Sequence, residues 1–462
     1  MKEKIFLTRT IHDFALKELK KKFLVEIHKG KIPIPQSTLK SKIKKMNGLI
    51  CFPYDKINKE IIQSAENLKV ISTYSVGYDH IDIQFAKEKK IRVGYTPEVL
   101  TDATADMAFG LLIDLLRRIS EGDRLIRKGN WKQIYGAYDY VGLDLQGKTL
   151  GIVGLGRIGK TLAKRAKAFN IKIIYHNRKQ ISKIEEKKLG VKYTTFDKLI
   201  SQSDIISIHV PHTEETNQMF NMKNFKKMKN TAFLINTSRG KVVNEKDLVT
   251  ALMSKNGITA DTEVILYGDF NNWFAAFVFW VFKIYGHENL KIMNGGRKKW
   301  ELENRDYTTD EPQISPSQYV AQPPDEGLRA YLFDVSRGIG KEDTVMVDVR
   351  SPAEFSGQIT APPEYPMEHA QRGGHIPDAN NIPWATAVND ADGTFKGVEE
   401  LKQNYETKGV TPDKDVICYC RIGERSSHSW FVLKYLLGYP KVRNYDGSWT
   451  EWGNMIGNPV EK

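Results

Sequence analysis

The amino-acid sequence predicts an α/β protein with several domains, each built on a parallel sheet. Short apolar runs alternate with helix-like segments along the 462 residues, which is typical of parallel strands joined by crossover helices. A glycine-rich turn, Gly154 to Gly159, follows one of these runs. Another strand-like run, Asp415–Tyr419, leads into a loop that opens with Cys420. The two turns indicate two different kinds of functional site, one in each part of the chain.

The charge balance limits the kinds of partner. The formal net charge is +13, and much of it is lysine scattered through the first 255 residues. A nucleic-acid-binding protein would need a basic patch with interleaved aromatic residues or a recognisable module. The chain has neither, so we predict no nucleic-acid partner. The positive charge instead favours small anionic substrates.

Cysteine usage and apolar runs indicate the compartment. Only 3 cysteines occur, which argues against a disulfide scaffold and for a reducing environment. Cys418 and Cys420 are spaced neither as a redox pair nor as zinc ligands, and no metal site is predicted. The first residues have no secretory apolar region. The longest apolar run, Trp273 to Phe282, is too short to span a bilayer. We expect a cytoplasmic protein without a membrane partner.

Before residue 256 the chain alternates strands and helices in the manner of parallel sheets. The composition changes near Asn256-Gly257: 8 tryptophans occur, and all but Trp131 follow this point. The chain therefore reads as two pieces joined there. The strands predicted for the first piece are Lys4–Thr8, Gly48–Phe52, Val70–Thr73, Thr149–Val153, Lys172–Tyr175, Ile205–His209 and Ala232–Asn236.

The second piece begins with a strand at Glu263–Tyr267, a helix over about 272–285 and a strand at Leu290–Met293. A proline-rich linker at 311–326 precedes a last α/β unit. The strands predicted for that unit are Thr344–Val349 and Asp415–Tyr419. Because the segment 256–303 is too short to bury a core alone, we expect Glu263–Tyr267 to extend the preceding sheet. The helix that carries Trp273 and Trp280 would then cover this sheet.

The glycine turn predicts a dinucleotide site. It follows the strand Thr149–Val153 and opens a helix inside a βαβ unit, which is the Rossmann-type context that gives the motif its meaning. The glycines permit a tight turn, close approach of a pyrophosphate and close helix packing. The cofactor-binding residues predicted in this turn are Gly154, Gly156, Arg157, Ile158 and Gly159.

Cofactor preference depends on the end of the next strand. An acidic side chain there would bind the ribose hydroxyls and repel a 2′-phosphate. The chain instead has Asn177 followed by Arg178. This pair favours NADP(H), while NAD(H) stays an alternative.

Residues 1–255 resemble the D-isomer-specific 2-hydroxyacid dehydrogenases, near the glyoxylate/hydroxypyruvate reductase branch. The runs that carry the resemblance are Ser75 to Asp82, the glycine turn, His209 to Thr216 and Asn236 to Gly240. The resemblance implies a flavodoxin-like, incomplete substrate domain at 1–100 and a truncated dinucleotide-binding domain at 101–255. It also implies that Val76 and Gly77 offer backbone N–H groups to a substrate carboxylate, which Arg239 clamps beside the nicotinamide. The substrates would be 2-oxo acids.

The resemblance stops after Ser254. The family's Leu-Asp-Val strand, its glutamate and its Pro-His motif are absent, and hydride transfer needs that histidine to move the hydroxyl proton. Asp269 and His287 follow at similar spacing, but we interpret them as ordinary residues of another fold. The resemblance therefore implies cofactor binding with an incomplete dehydrogenase site.

The Cys420 loop points to sulfur chemistry. A thiol at the end of a strand is followed by Arg421, Gly423 and Arg425, then by a helix. Backbone N–H groups and a helix N-terminus aimed at one sulfur favour a nucleophilic thiolate. Cysteine phosphatases are the rival, but their loops place five residues between cysteine and arginine. This loop has four before Arg425, and Ser426 stands where a phosphatase needs its arginine.

From the junction onward the chain resembles the tandem-domain rhodaneses, which are thiosulfate sulfurtransferases. Part of an inactive repeat at 256–310 runs from Val264 to Trp300, with Asp269 at the position of a catalytic cysteine. A catalytic domain at 311–462 looks whole. Its matching runs are Val347 to Arg350, Gly374 to Pro377, Asn381 to Trp384, the Cys420 loop and Tyr445 to Trp449.

This second resemblance implies a double displacement through a Cys420 persulfide, without a cofactor. Arg421 and Arg425 would bind the sulfonate of thiosulfate, and Arg350 resembles a family arginine that faces the pocket. Cyanide or a thiol would accept the sulfur. The sequence thus predicts a thiosulfate sulfurtransferase first and a nicotinamide-dependent 2-hydroxyacid dehydrogenase as the alternative. A homodimer is compatible with either, and the sequence does not decide it.

Overall fold

The structure is a computed structural model. It describes residues 2–30, 33–127, 140–308, 310, 312–362, 370–455 and 457–462. Four sheets run through these residues, and every strand pair with a defined register is parallel. The α/β class predicted from the alternating pattern is confirmed. Among the described residues, no helix combines the length and apolar character needed to cross a membrane.

The first sheet has five strands in the order β2-β1-β3-β4-β5. Phe6 and Leu7 of β1 and Ile71 of β4 are fully buried, as expected of short apolar runs that helices cover on both faces. The elements of this part are β1 (Lys4–Leu7), α1 (Asp13–Lys22), β2 (Leu24–Ile27), α2 (Gln36–Ile43), β3 (Gly48–Cys51), α3 (Lys59–Ser64), β4 (Val70–Thr73), α4 (Ile83–Glu88) and β5 (Arg92–Gly94).

The second sheet also has five strands, in the order β10-β9-β6-β7-β8. Its central strand, β6, is almost entirely buried, and Leu162, Ala163 and Ala166 of the helix after it pack into the same core. The elements are α5 (Thr101–Arg117), α6 (Ile119–Arg127), β6 (Thr149–Val153), α7 (Arg157–Lys167), β7 (Lys172–His176), α8 (Lys183–Leu189), β8 (Val191–Tyr193), α9 (Phe196–Gln202), β9 (Ile205–Ile208), α10 (Met222–Phe225), β10 (Phe233–Asn236) and α11 (Glu245–Lys255).

The third sheet has two parallel strands, β11 (Val264–Leu266) and β12 (Leu290–Ile292). The helix α12 (Trp273–Ile284) connects them, and α13 (Gly296–Leu302) follows. The prediction that Glu263–Tyr267 extends the preceding sheet is wrong. The strand instead finds its partner inside its own βαβ unit, because the crossover through α12 brings β12 beside it.

The fourth sheet has the order β13-β17-β16-β14-β15, with the longest strands at its centre. Its core contains Tyr419, Tyr445, Trp449 and Trp452. The elements are β13 (Arg329–Ala330), α14 (Leu332–Gly338), β14 (Thr344–Asp348), α15 (Pro352–Phe355), β15 (Asn380–Asn381), α16 (Val398–Glu406), β16 (Asp415–Tyr419), α17 (Glu424–Phe431), β17 (Val442–Tyr445) and α18 (Ser448–Asn454).

Helix α12 packs against α17 rather than over the dehydrogenase-like sheet. The Phe279 ring lies 5.0 Å from the Phe431 ring, and Trp273 meets Trp384 edge to face at 5.2 Å. The Trp280 indole donates a hydrogen bond of 2.9 Å to the Leu328 carbonyl. The apolar face of α12 is therefore buried on the last α/β unit, which corrects the predicted place of Trp273 and Trp280.

Asp269 and His287 do not form a pair in this arrangement. Asp269 follows the carboxyl end of β11, whereas His287 precedes the amino end of β12. Because the two strands are parallel, these residues lie at opposite edges of the sheet. Asp269 faces Arg297 at 3.8 Å, and the buried His287 ring bonds the Thr262 carbonyl at 3.0 Å. Both behave as ordinary residues of this fold, as we expected.

Candidate active site

Cys420 lies at the carboxyl end of β16, directly before the turn that starts α17. Only 1% of its surface is exposed. The backbone N–H of Gly423 donates a hydrogen bond to the Cys420 Sγ at 3.1 Å. The N-terminus of α17 begins at the next residue, so its positive end lies beside the same sulfur. One backbone N–H and one helix N-terminus therefore favour negative charge on Sγ.

The backbone of Cys420 is anchored to the first two residues of α18. Its N–H donates to the Ser448 hydroxyl at 3.1 Å, and its carbonyl accepts from the Trp449 N–H at 3.1 Å. The Ser448 hydroxyl in turn donates to the Tyr445 carbonyl at 2.6 Å. These contacts fix the direction in which the thiol points.

Arg421 and Arg425 both contact one carboxylate, that of Glu354. Arg421 Nη2 donates to Glu354 Oε1 at 3.2 Å, and Arg425 makes a fork with Nη1 on Oε2 and Nη2 on Oε1, each at 3.2 Å. Arg421 is buried, whereas 14% of the Arg425 side chain is exposed. The structure thus brings together Cys420, Arg421 and Arg425.

The sequence analysis did not identify Glu354. Its side chain is 1% exposed and also accepts from the Ser351 N–H at 3.1 Å and hydroxyl at 3.0 Å. The Ser351-Pro352-Ala353-Glu354 run is a recognisable capping box for α15. That pattern predicts a local role, but the contact with Arg421 spans 67 positions of sequence. No local signal points to it.

Charge in this cluster shifts the pKa of its members. Burial acts to raise the pKa of the Glu354 carboxyl, but Arg425 and then Arg421 outweigh it, so the pKa lies below its ordinary value. Burial likewise acts to lower the pKa of Arg425. The negative charges of Cys420 and Glu354 reverse this effect and hold the pKa of Arg425 above its usual range. Glu354 and Arg425 are therefore both charged at neutral pH.

Arg350 is placed differently. Its guanidinium is 2% exposed and is bound by Asp348, with Nε 2.9 Å from Oδ1, and by the Gly374 carbonyl at 2.8 Å. It also lies over the Trp449 ring, 4.5 Å from the centroid. Among the described residues, none of its hydrogen bonds reaches the Cys420 loop. Its contact with an anion in the pocket stays a prediction.

Cys418 shows what a structural thiol looks like in the same strand. It is fully buried in the centre of the sheet, paired in register with Val347 and Asn444. Burial, with a further contribution from Cys420, raises the pKa of the Cys418 thiol far above its ordinary value. Cys418 is therefore a core residue of the sheet, whereas Cys420 lies at the end of the strand and accepts the Gly423 N–H.

The glycine turn of the second sheet has the form of a dinucleotide cradle. Gly154 has φ +98, and a Cβ there would lie 2.9 Å from the Val210 backbone nitrogen. A Cβ on Gly159 would lie 2.4 Å from the Gly154 carbonyl oxygen. By contrast, a Cβ on Gly156 would meet nothing within 4 Å, so the space above this residue is open. This difference fits a turn in which Gly156 faces a bound pyrophosphate.

The neighbours of the turn agree in part with the predicted cofactor contacts. The Asn177 side-chain oxygen accepts from the Leu155 N–H at 2.6 Å, which ties the end of β7 to the turn. Arg178 is exposed at that same end. Arg157 opens α7 and faces Glu98 at 3.3 Å, while Ile158 packs into the core. Ile158 is only partly buried by this packing.

Arg239 lies beside Gly77, as a carboxylate clamp would require, and its guanidinium is bound by Asp79. The Arg239 guanidinium lies directly against Gly77, where an added Cβ would come within 1.7 Å of Nη2. Its Nε and Nη2 both donate to Asp79 Oδ1 at 3.2 Å. Val76 and Gly77 are half-buried in the loop after β4, and the Ser75 hydroxyl holds the Gly77 carbonyl at 2.6 Å. The structure thus brings Arg239 and Gly77 together.

Two family models match the chain. The model described as D-isomer specific 2-hydroxyacid dehydrogenase, NAD binding domain, matches residues 109–265. The model described as rhodanese-like domain matches residues 334–455, which include the whole Cys420 loop. The two matches do not overlap, and they reproduce the two resemblances seen in the sequence.

Individual relatives divide in the same way. The sulfur carrier protein TtuD of Thermus thermophilus is 58% identical over 214 residues, which are 46% of this chain and 75% of that protein. A putative thiosulfate sulfurtransferase of Saccharopolyspora erythraea is 56% identical over 210 residues, 46% of this chain and 74% of that protein. The solved structure of a glyoxylate reductase from Paecilomyes thermophila superposes with a TM-score of 0.50 and 32% identity, covering 55% of this chain and 79% of that one.

Proposed function

The chain belongs to the rhodanese-type thiosulfate sulfurtransferases in its carboxyl-terminal part and to the D-isomer-specific 2-hydroxyacid dehydrogenases in its amino-terminal part, and we propose that it transfers sulfur from thiosulfate through Cys420. The observation that carries this proposal is the Gly423 N–H, which donates to the Cys420 Sγ at 3.1 Å in a loop flanked by two arginines. We assign the reaction to residues 311–462.

The reaction is a double displacement on sulfur. The Cys420 thiolate attacks the outer sulfur of thiosulfate, a Cys–S–S bond forms, and the sulfur–sulfur bond of thiosulfate breaks. The electron pair of that bond leaves with sulfite, and Cys420 becomes a persulfide anion. An acceptor such as cyanide then attacks the outer persulfide sulfur, leaves as thiocyanate and restores the thiolate. No proton or external electron is required in either step.

The loop supports each half of this reaction. The Gly423 N–H and the α17 N-terminus stabilise negative charge on Sγ, and the same groups suit the outer sulfur of a persulfide anion. Arg425, the more accessible of the two arginines, is placed to bind the sulfonate oxygens. Arg421, whose side chain is buried, adds a second positive charge to the loop.

The test is cyanide-dependent thiocyanate formation from thiosulfate. Cys420→Ser removes the nucleophile and is expected to abolish the reaction. Cys418→Ala, two residues earlier in the same strand, is the matched control and should keep most of it. Thiocyanate formation at the wild-type rate by Cys420→Ser would refute the proposal. Mass spectrometry after thiosulfate treatment should find the added sulfur on Cys420 and not on Cys418.

A second function is favoured by the open space over Gly156. We propose that residues 101–255 bind a nicotinamide dinucleotide, with its pyrophosphate over Gly156 and its adenosine ribose near Asn177 and Arg178. An exposed arginine at the end of β7, preceded by Asn177 in place of an acidic residue, favours NADP(H) over NAD(H). The bound cofactor would supply a hydride. The family's Pro-His motif, whose histidine moves the proton, is absent from the sequence. We therefore expect the chain to bind the cofactor without turning over a 2-oxo acid.

Fluorescence titration tests this binding. NADPH should bind more tightly than NADH, and Arg178→Ala should reduce NADPH affinity by about tenfold while changing NADH affinity little. Equal affinities in wild type would refute the preference. NADPH oxidation with glyoxylate or hydroxypyruvate measures the alternative enzyme function, and the absence of turnover would leave that alternative untenable.

A further inference from the structure

Glu354 is the centre of the arginine cluster beside Cys420. Arg421 and Arg425 each place an Nη2 atom 3.2 Å from the same oxygen, Oε1. Both guanidinium groups are therefore within the range at which like charges repel each other strongly. The carboxylate between them offsets that repulsion, and its burial strengthens the effect.

The carboxylate is itself held in place from its other side. Ser351 donates its backbone N–H and its hydroxyl to Oε2, and Pro352 begins the short helix that carries Glu354. The carboxylate is thus fixed to α15, and the two arginines are fixed to the carboxylate. The position of the positive charge around Cys420 depends on a residue that does not belong to the Cys420 loop.

The cluster also has a defined charge. Two guanidinium groups and one carboxylate leave one positive charge beside the thiolate. The first half-reaction releases sulfite, an anion that must leave before an acceptor can enter. A cluster with one more positive charge would bind the incoming thiosulfate more tightly but would also retain sulfite.

We propose that Glu354 is a positioning residue that aligns Arg421 and Arg425 and limits the net charge around Cys420, and that it thereby sets the affinity for the departing sulfite. This inference rests on the proposed sulfur transfer. Glu354 does not contact the reacting sulfur. It acts through the two arginines, so its effect appears in anion affinity as well as in rate.

The experiment compares sulfite inhibition in variants of the full chain. Glu354→Gln preserves the shape of the side chain but removes its charge. We expect the inhibition constant of sulfite to fall by about tenfold. The KM for thiosulfate should fall with it, and kcat should decrease because sulfite leaves slowly. A role limited to local folding predicts the opposite for KM, which would rise as the site loosens.

Two variants complete the comparison. Glu354→Asp keeps the charge on a shorter side chain and should leave the sulfite inhibition constant within about threefold of wild type, even if kcat falls because the fork is misaligned. Glu301→Gln makes the same chemical change at an exposed Glu–Arg pair, where Arg297 Nε lies 2.8 Å from Oε1. It should change neither constant.

Unchanged or weakened sulfite inhibition in Glu354→Gln would overturn the inference. If that variant does not fold, Glu354→Asp decides, because a tenfold change in its sulfite inhibition constant contradicts a role based on charge. Failure of the underlying function is separate and is visible in wild type. A wild-type Cys420 that takes up no sulfur from thiosulfate would reject the sulfur transfer before any variant is compared.

Discussion

Gly423 and Asp446 approach so closely that no side chain fits between them. A Cβ on Gly423 would lie 2.6 Å from the Asp446 Cα, and Gly423 has φ +91, in the region that disfavours other residues. Asp446 cannot move away easily, because Arg329 holds its carboxylate with bonds of 3.1 and 2.6 Å. Gly423, whose N–H contacts the Cys420 sulfur, is therefore held in place by its close contact with Asp446, the residue that follows β17.

Gly423→Ala should therefore damage both stability and sulfur transfer. We expect the free energy of unfolding to fall by about 1–3 kcal/mol from backbone strain, with further loss from the Asp446 contact. Thiocyanate formation should fall by at least about tenfold, because the N–H moves away from Sγ. Urea unfolding and the thiocyanate assay measure the two effects.

Gly409→Ala is the control for backbone strain alone. Gly409 has φ +72, but a Cβ there would meet nothing within 4 Å. The free energy of unfolding of this variant should fall by about 1 kcal/mol, and its thiocyanate formation should match that of wild type. Equal activity in the two alanine variants would show that the close approach to Asp446 does not matter for catalysis.

The segment 256–310, which we predicted to be a partial repeat, should contribute directly to the stability of the last α/β unit. Phe279 is 3% exposed, and its ring lies 5.0 Å from both Phe431 and Tyr435. Phe279→Ala should lower the free energy of unfolding by about 3–5 kcal/mol. Val278→Ala, on the exposed side of the same helix, should cost less than about 1 kcal/mol. Urea unfolding followed by tryptophan fluorescence measures the free energy of unfolding of both variants. Similar decreases in the two variants would contradict the packing of α12 on α17.

Acid should destabilise the same region through His428. Burial lowers the pKa of this fully buried imidazole to about 4, although the nearby backbone of Asn271 opposes the shift. An unfolded histidine titrates near 6.5. Between these two values the unfolded chain binds one more proton, so the free energy of unfolding decreases as the pH falls from about 6.5 to about 4. The loss is on the order of 3 kcal/mol.

His428→Phe tests this effect, because the aromatic neighbours Trp384 and Phe395 can still pack against the new ring. Urea unfolding at several pH values should show a shallower loss of stability in the variant below pH 6.5 than in wild type. Glu354, whose pKa is lowered, contributes acid sensitivity to both proteins at lower pH and cancels in the difference. Parallel curves for the two proteins would contradict the prediction.

The strands were predictable because their signal is local. The predicted runs Val70–Thr73, Thr149–Val153 and Asp415–Tyr419 coincide with β4, β6 and β16. Strands that are covered on both faces form nearly continuous apolar runs, so their bounds can be read directly from the sequence. The Cys420 loop was also readable, because a thiol, a glycine and two arginines follow one another within six positions.

Partners that are distant in sequence were not predictable. The pairing of β11 with β12 follows from the crossover through α12, and the apolar pattern of Glu263–Tyr267 does not identify its partner strand. Glu354 presents the same difficulty, since its pattern identifies a helix cap and does not reveal which cations approach it. The local sequence was enough to predict Cys420 as the nucleophile. Glu354, the group that contacts both arginines, could be identified only from the fold.

The second and third glycines of the dinucleotide turn, Gly156 and Gly159, should respond differently to the same substitution. Gly156 has φ −81 and open space above it, so Gly156→Ala should leave the free energy of unfolding within about 0.5 kcal/mol of wild type. Its methyl group would occupy the place that a pyrophosphate needs, and NADPH affinity should fall by at least about tenfold. Gly159→Ala forces a contact of 2.4 Å with the Gly154 carbonyl and should destabilise the second sheet by about 1–3 kcal/mol. Thermal unfolding with NADPH titration separates the two effects, and unimpaired NADPH binding by Gly156→Ala would show that the cofactor does not lie over this residue.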